Sequence, residues 1–565
     1  MTVVSPPRQG LAANPPATAA LGPLWQLFVV LGAASAVLAA LIAWLAPSTR
    51  SGTPMPVLTY VDATAGSGLA WPAAERRQHS EGARLVGGYV GVIDYDQDGH
   101  PDLFAIDADG NCALFHNEGK GHFRDVTAKS GLKLGFPAIG AAIGDFDNDG
   151  KPDIFVTGIG GNRLFHNLGG GKFQDVTVAA GVAGDDHVWS TGAAWLDVFG
   201  DGRLDLVLCN YARWPRETDY ETALSGERAG PSYGAPAPGF TSCFPSLYRN
   251  LGGGRFVDVT AHSGLEQIDR RTGFPRAFPL AVAAIDANRD GRLDLLFTYQ
   301  SGEDALFVNA GGGAFREWRP TPERREGVSA GLAGGAQSLL HALQDDDRFA
   351  MLRDAGLSLA AVGDADTTSP LREKLGVALI DAELDGRTEI VSGDGALAAD
   401  PGRAEPDEGA LPMPKMVWRD GNGWKAGRLA IGPLARDGWV RGIAVADFFG
   451  QGRPDMVVAS ADAPLRLLRD NDHSRNAWLR VQLVGTRSVR DAGGARVEVQ
   501  TPRRTYEQTV EPAMGYMAQS EGVLTFGLGN DTRVNRIVVL WPSGIRQEVS
   551  APEVNRRWVI TEPRR

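Results

Sequence analysis

The stretch AAIGDFDNDGKPDIFVT, residues 141–157, decides the fold. A short apolar run leads into a loop headed by Asp145, and a second apolar run leaves it. Side-chain oxygens stand at loop positions 1, 3, 5 and 9, and Gly150 at position 6 allows a sharp turn. The same frame returns as GVIDYDQDGHPDLFAI from Gly91, AAWLDVFGDGRLDLVLC from Ala193, AVAAIDANRDGRLDLLFT from Ala281, GVALIDAELDGRTEIVSG from Gly376 and GIAVADFFGQGRPDMVVAS from Gly442. The leading residues are Asp94, Asp145, Asp197, Asp286, Asp381 and Asp447.

A second element follows at a fixed offset. It reads ALFHNEGKGHFRDVTAKSGL from Ala113, RLFHNLGGGKFQDVTVAAGV from Arg163 and SLYRNLGGGRFVDVTAHSGL from Ser246, with a shorter ALFVNAGGGAFREW from Ala305. This is a strand, an Asn/Gly turn and a strand. Asp94 and Asp145 are 51 residues apart, and Asp145 and Asp197 are 52 apart. One unit thus holds four strands, the content of a propeller blade, at a period too long for a β-helix coil. Residues 60–69, YVDATAGSGL, match the end of a unit that has no beginning. They are expected to supply the outer strand of the last blade and close the ring, leaving no free sheet edge. Two intervals are long. The 89 residues from Asp197 to Asp286 contain an aromatic, Pro/Gly-rich insertion at 211–243. The 95 from Asp286 to Asp381 contain an insertion at 318–375, where AQSLLHALQDDDRFAMLRDAGL predicts short helices or a degenerate blade. The expected fold class is all-β: a six- or seven-bladed β-propeller, with seven preferred, a small C-terminal β-domain and one N-terminal transmembrane helix.

Carboxylates crowded into one loop repel each other unless a cation joins them. Hard oxygen ligands in a flexible loop suit Ca²⁺ better than Mg²⁺, and the spacing follows the first nine positions of an EF-hand, with position 9 replacing its twelfth-position Glu. Asp94/Asp96/Asp98/Asp102 and Asp145/Asp147/Asp149/Asp153 are complete sets. Asp286/Asn288/Asp290/Asp294 includes one amide, and Asp381/Glu383/Asp385/Glu389 uses two longer Glu side chains. Asp197/Asp201/Asp205 lacks position 3, which is Phe199. The Asp447/Asp455 loop carries Phe449 and Gln451 and is expected to bind nothing. The expectation is about four calcium sites, with the Asp197 loop as a fifth. For any single loop, the alternative is an Asx-turn that only shapes a hairpin.

A net charge of −12 argues against nucleic acid, whose phosphates need basic faces. Residues 24–46, LWQLFVVLGAASAVLAALIAWLA, carry no charge and have the length of a membrane span, with Trp25 and Trp44 near the ends. They predict an uncleaved anchor, preceded by a disordered cytoplasmic segment at 1–23 and followed by a linker at 47–57. The rest is expected outside the cell or in the periplasm, where calcium is plentiful and disulfides persist. Of Cys112, Cys209 and Cys243, the last two flank the insertion and are the candidate disulfide; three unpaired thiols are the other reading. No GxSxG, HExxH or P-loop occurs. His116 and His166 share one repeat position and read as blade architecture. His187, beside Asp185 and Asp186, is the most site-like histidine. Tyr211, Trp214, Tyr220 and Tyr233 make the insertion either a candidate ligand surface or an ordered cap packed on blade three.

The loops at Asp94 and Asp145 resemble FG-GAP/VCBS repeats, the blades of integrin α-subunit propellers. NAWLRVQLVGTRSVRDAGGARVEVQ from Asn476, GYMAQSEGVLTFGLGN from Gly515 and VNRIVVLWPSGIRQEV from Val534 resemble the ASPIC/UnbV domain. That pairing is typical of the cartilage acidic protein family and its bacterial relatives. The resemblance departs at Val489-Arg490 and at Ala492-Gly493-Gly494-Ala495, where the family has Asn-Arg and a Gly-Ile-Gly-Ala run. Family members also often carry cysteines placed like Cys209 and Cys243. The implied division is a propeller at 58–472 and a β-domain at 473–565. The expected function is a membrane-anchored, calcium-binding scaffold for adhesion to an extracellular protein or glycan. The alternative is a propeller enzyme, a glycan hydrolase or lyase or a quinone-type dehydrogenase. That enzyme would need acids, bases or histidines converging on the central channel.

Overall fold

The computed structural model describes residues 58–70, 88–107, 109–215, 240–268, 278–299, 305–318, 373–395, 415–420, 423–430, 440–460, 463–512 and 517–564, together with 273 and 275. All belong to one compact unit, Val57–Arg565, distinct from Met1–Pro56. The segments read as a cytoplasmic tail (1–23) and an anchor (24–46) lie outside the described residues, as do most of insertion 211–243 and nearly all of 318–375. Among the described residues no helix is long and apolar enough to cross a membrane.

The paired apolar runs of each repeat become the two inner strands of a four-stranded sheet. Strand β1 is Leu58–Asp62. Blade 1 is β2 (Tyr89–Ile93), β3 (Asp102–Ile106), β4 (Cys112–Asn117) and β5 (Phe123–Asp125). Blade 2 is β6 (Ala138–Gly144), β7 (Asp153–Gly158), β8 (Arg163–Gly169) and β9 (Lys172–Asp175). Blade 3 is β10 (Val188–Leu196), β11 (Asp205–Arg213), β13 (Ser246–Gly252) and β14 (Arg255–Asp258), with the short β12 (Thr241–Ser242) on β11. Blade 4 is β15 (Pro279–Ile285), β16 (Asp294–Tyr299), β17 (Ala305–Gly311) and β18 (Ala314–Glu317). Blade 5 is β19 (Glu373–Ile380), β20 (Glu389–Gly395), β21 (Lys415–Asp420) and β22 (Gly423–Ala430). Blade 6 is β23 (Val440–Ala446), β24 (Asp455–Ser460), β25 (Arg466–Asp470) and, as its outer strand, β1.

The register is shared. In every blade the residue before loop position 1 pairs with position 9: Ile93 with Asp102, Gly144 with Asp153, Leu196 with Asp205, Ile285 with Asp294, Ile380 with Glu389 and Ala446 with Asp455. The innermost strands are rich in Gly and Ala because neighbouring blades converge there; all seven residues of β6 are buried. β2 lies beside β6, β6 beside β10, β10 beside β15, and β23 beside both β19 and β2. The sheets thus follow one another as the blades of a propeller-like all-β fold. The closure read from residues 60–69 is present: Tyr60, Val61 and Asp62 pair antiparallel with Asp470, Arg469 and Leu468. The other edge of β1 runs parallel to β22. The described residues form six blades. The stretch where a seventh was expected is outside them.

The C-terminal strands make two facing sheets. One has order β30-β26-β33 (Leu524–Gly529, Ala477–Val484, Arg556–Thr561) and the other β28-β27-β31-β32 (Thr505–Thr509, Arg496–Gln500, Arg536–Leu540, Arg546–Ser550). Val497 and Val499 alternate with half-buried neighbours on β27 and pack with Leu479, Val481, Phe526 and Val539 between the sheets. One more strand, β29 (Ala518–Gln519), leaves this body and lies parallel to β2 at the propeller axis, Val90 opposite Ala518.

One expectation is corrected. Cys209 and Cys243 are free thiols, as is Cys112. Cys209 is fully buried between blades 3 and 4. Pairing of Ala212 with Ser242 carries Cys243 to the level of Tyr211, two residues away from Cys209. Of the insertion's aromatics, Tyr211 and Trp214 pack as the cap reading expects: both are buried, Tyr211 against Trp189 and Phe278, Trp214 against His187 and Phe240. Tyr220 and Tyr233 lie outside the described residues.

Candidate metal centres

Each Asp loop is held by its own carboxylates. The position-1 oxygens accept the N–H groups of positions 5 and 6: Asp145 from Asp149 and Gly150 at 2.9 and 2.7 Å, and Asp286 from Asp290 and Gly291 at 3.0 Å each. Asp197, Asp381 and Asp447 do the same. These bonds require a left-handed backbone at positions 4 and 6, and the structure has it, with φ of 58° at Asn148 and 95° at Gly150. The position-9 carboxylate is buried and accepts two backbone N–H groups. Asp153 takes Phe146 N–H at 3.2 Å and Asn167 N–H at 2.7 Å, tying the loop to the third strand of its blade. Asp102, Asp205 and Asp294 repeat both bonds, and Glu389 repeats the first with Ala382.

Carboxylates converge in the first two loops. Oxygens of Asp94, Asp96 and Asp98, and those of Asp145, Asp147 and Asp153, lie within 4.8 Å of one another. Asp94 Oδ1 and Asp96 Oδ1 are buried with no hydrogen-bond partner. Such an oxygen is costly unless a cation meets it. Burial pushes Asp102 and Asp153 up to about 9, the other loop carboxylates adding to it. Asp145 rises to about 7 through burial and then Asp491. An oxygen-rich set with unpartnered buried atoms fits a hard divalent ion.

The remaining loops are arranged differently. Asp197, Asp201 and Asp205 do not form such a group, nor do Asp381, Glu383, Asp385 and Glu389. Instead the position-5 carboxylate pairs with an Arg at position 7: Asp201 with Arg203, Asp290 with Arg292 and Asp385 with Arg387. Asn288 Nδ2 donates to Asp290 Oδ2 at 3.1 Å, so the amide of the fourth loop is also turned inward. At position 7, loop 1 has His100 on Asp98 (3.2 Å) and loop 2 has Lys151 on Asp149.

The sequence reading missed the histidines. His116 Nδ1 is 3.4 Å from Asp96 Oδ2 and 3.2 Å from Asp102 Oδ1; His166 Nε2 is 3.1 Å from Asp147 Oδ2. Arg249 takes the same repeat position in blade 3 and reaches Asp201 at 3.4 Å. The signal was their period: position 3 of the loop and the residue before the repeat Asn share one side of the blade. His187 lies instead before β10, at the strand end far from the Asp loop; its N–H is held by Asp185, whose carboxylate also binds Arg213 at 2.7 Å.

The C-terminal sheets stand on the loop face. Arg557 donates to Gly99 O at 3.1 Å in loop 1. In loop 2, Asp491 accepts Asp145 N–H at 3.0 Å, and Arg490 N–H binds Asn148 Oδ1 at 3.0 Å. In loop 5, Asp381 accepts Gly527 N–H at 3.1 Å and Asn476 donates to Glu383 O at 2.8 Å. At the axis, Gln519 holds both backbone groups of Ile143, at 2.9 and 2.8 Å. The void left there, lined by Tyr89, Gly140, Ala141, Gly192, Met517 and neighbours, is about 20 Å³, room for one water.

Comparison with known proteins matches the FG-GAP-like repeat at residues 94–156 and 145–208, and "ASPIC and UnbV" at residues 485–565. The chain carries FG-GAP-like repeats and an ASPIC/UnbV domain. It is similar to cartilage acidic protein 1 of Mus musculus, 25% identical over 324 residues, which cover 56% of this chain and 41% of the relative. The Homo sapiens protein is likewise 25% identical, over 56% of this chain and 40% of its own length. The match thus spans about two fifths of these relatives. Among solved structures, an Agrocybe aegerita lectin recognising non-reducing terminal N-acetylglucosamine aligns over 68% of this chain and 81% of its own, at 16% identity and a TM-score of 0.30. AofleA of Arthrobotrys oligospora aligns over 74% and 92%, at 12% identity and 0.31. At those scores neither likeness bears on the ligand of the FG-GAP/ASPIC chain.

Proposed function

We propose that this chain is a calcium-binding β-propeller that serves as an interaction scaffold outside the cytoplasm, held to a membrane by residues 24–46. The observation that carries the calcium reading is the pair of converging loops of blades 1 and 2, with Asp94 Oδ1 and Asp96 Oδ1 buried and unpartnered. When calcium is bound, it supplies the positive charge that joins these oxygens. The ligands are Asp94, Asp96, Asp98 and Asp102 in one loop and Asp145, Asp147, Asp149 and Asp153 in the other. Loops 3, 4 and 5 are weaker sites, because their carboxylates do not gather as those of blades 1 and 2 do. The ion's role is structural: it stiffens the loops that the C-terminal domain stands on.

The scaffold reading rests on the FG-GAP-like repeats and on the C-terminal domain seated across their loop face. Its partner is an extracellular protein or glycan. The test is thermal unfolding of the full-length protein against calcium, with Asp96→Asn and Asp147→Asn as comparisons. The expected result is a rise in melting temperature with calcium that shrinks in each variant and is lost in the double variant. A melting temperature indifferent to calcium would sink the proposal.

A further inference from the structure

The sixth loop keeps Asp447 and Asp455 but has lost positions 3 and 5 to Phe449 and Gln451. It is nevertheless folded like the others: Asp447 accepts Gln451 and Gly452 N–H at 2.7 Å each. A cation does reach it, and that cation is a side chain. Arg480, on β26 of the C-terminal domain, places Nη1 3.1 Å from Asp447 Oδ2 and Nη2 against Glu521 Oε1; its Nε donates to Thr525 Oγ1 at 3.3 Å. Glu521 Oε1 also accepts Asp447 N–H at 3.2 Å. Arg480 and Asp447 are each only 6% exposed at the side chain. The loop's own position-7 arginine does not compete, because Arg453 turns away to Asp472 at 2.9 Å and Ser474 O at 2.9 Å. Gly452 admits the approach: a Cβ there would lie 2.1 Å from the Trp478 ring, two residues before Arg480 on the same strand.

We infer that Arg480 is the resident cation of the sixth loop, and that this pairing is a metal-independent latch fixing the C-terminal domain to the blade that closes the ring. The reason is charge and reach. Asp447 and Glu521 are carboxylates on opposite sides of the domain seam, and one guanidinium bonds both with two separate N–H groups. The same seam carries two bonds to the backbone of Val445, its N–H donating to Ser520 Oγ and its carbonyl accepting Glu521 N–H, both at 3.0 Å. Removing the arginine leaves two buried carboxylates facing each other.

The latch is separable from the calcium reading. The experiment is thermal unfolding of full-length wild type, Arg480→Met, Asp447→Asn and the double variant, in EDTA, with calcium stoichiometry measured by equilibrium dialysis. The expected results are a drop of several degrees for R480M in EDTA, a double variant that melts above R480M, and a calcium stoichiometry unchanged by D447N. If R480M does not fold, recovery of cooperative melting in the double variant supports the latch and its absence overturns it. An R480M midpoint equal to wild type, additive effects of the two changes, or the loss of one calcium in D447N would each overturn it. Absence of any calcium binding in wild type would sink the calcium proposal alone and leave the R480M shift standing.

Discussion

In blades 1 to 3 one Asn does much of the joining. Asn167 Nδ2 donates to Tyr95 O of the preceding blade at 2.9 Å and to Pro152 O of its own at 3.1 Å. Asn117 reaches Phe448 O across the closing seam at 3.2 Å, and Asn250 reaches Phe146 O at 2.8 Å. Blade 6 breaks the pattern with Asp470, whose side chain has no N–H to give. Tyr60 of β1 takes over the bond to the blade's own loop, donating its hydroxyl to Pro454 O at 2.9 Å. Blades 1 to 4 have Phe123, Phe173, Phe256 and Phe315 where β1 has Tyr60. The own-blade bond lost in the exchange of Asn for Asp is thus restored by an exchange of Phe for Tyr about four hundred residues away. Tyr60→Phe should therefore cost about 1–3 kcal/mol, the penalty of an orphaned buried carbonyl, read as a fall in denaturant midpoint with unchanged slope. A cost near zero would mean that water reaches Pro454 O. Such pairings were not legible in the sequence, because the two residues acquire a common meaning only once the ring closes.

At the scale of the element, the Asp loop was legible almost entirely. Period, strand flanks and the turn glycine were all in the repeat. What the spacing did not reveal is that position 9 serves the backbone first, and that an Arg at position 7 folds back on position 5. Loops 4 and 5 look nearly as complete as loop 1 on paper, yet Arg292 and Arg387 occupy the charge that a cation would take. Arg387→Ala should therefore strengthen calcium binding at the fifth loop, seen as added calcium stabilisation over wild type. The position-9 acids also fix a pH dependence. Burial pushes Asp102, Asp153 and Glu389 up to about 9 in the folded chain, above their unfolded values near 4. A raised acid binds its proton more tightly when folded, so the metal-free protein loses stability as pH rises from about 4 to about 9. In EDTA the melting temperature should fall between pH 5.5 and pH 8.5 (roughly the middle of that window), and calcium should flatten the slope by displacing the protons. A flat profile in EDTA would show that these carboxylates ionise freely.

At the scale of the whole molecule, the order of the chain and the order of the ring differ. The first described strand completes the last blade, so β25 gains its partner from the far end of the propeller. Beyond β1, Ser67 O accepts Phe123 N–H at 2.6 Å, and Gly68 comes so near Phe123 O that a Cβ would lie 1.9 Å from it. Residues 58–69 therefore seal the seam between blades 6 and 1 as well as the edge of blade 6. A fragment beginning at residue 71 should keep every Asp loop yet expose the edges of β25 and β22, which invites strand pairing between molecules. It should elute as oligomers or aggregate, whereas a fragment beginning at residue 57 should stay monodisperse and melt cooperatively. The decisive arm is complementation. A peptide of residues 57–70 added to the shorter fragment should restore a single cooperative transition, and the same peptide with Tyr60→Phe should do so less well. If the shorter fragment melts like the longer one, closure by the N-terminal strand is not what holds the ring.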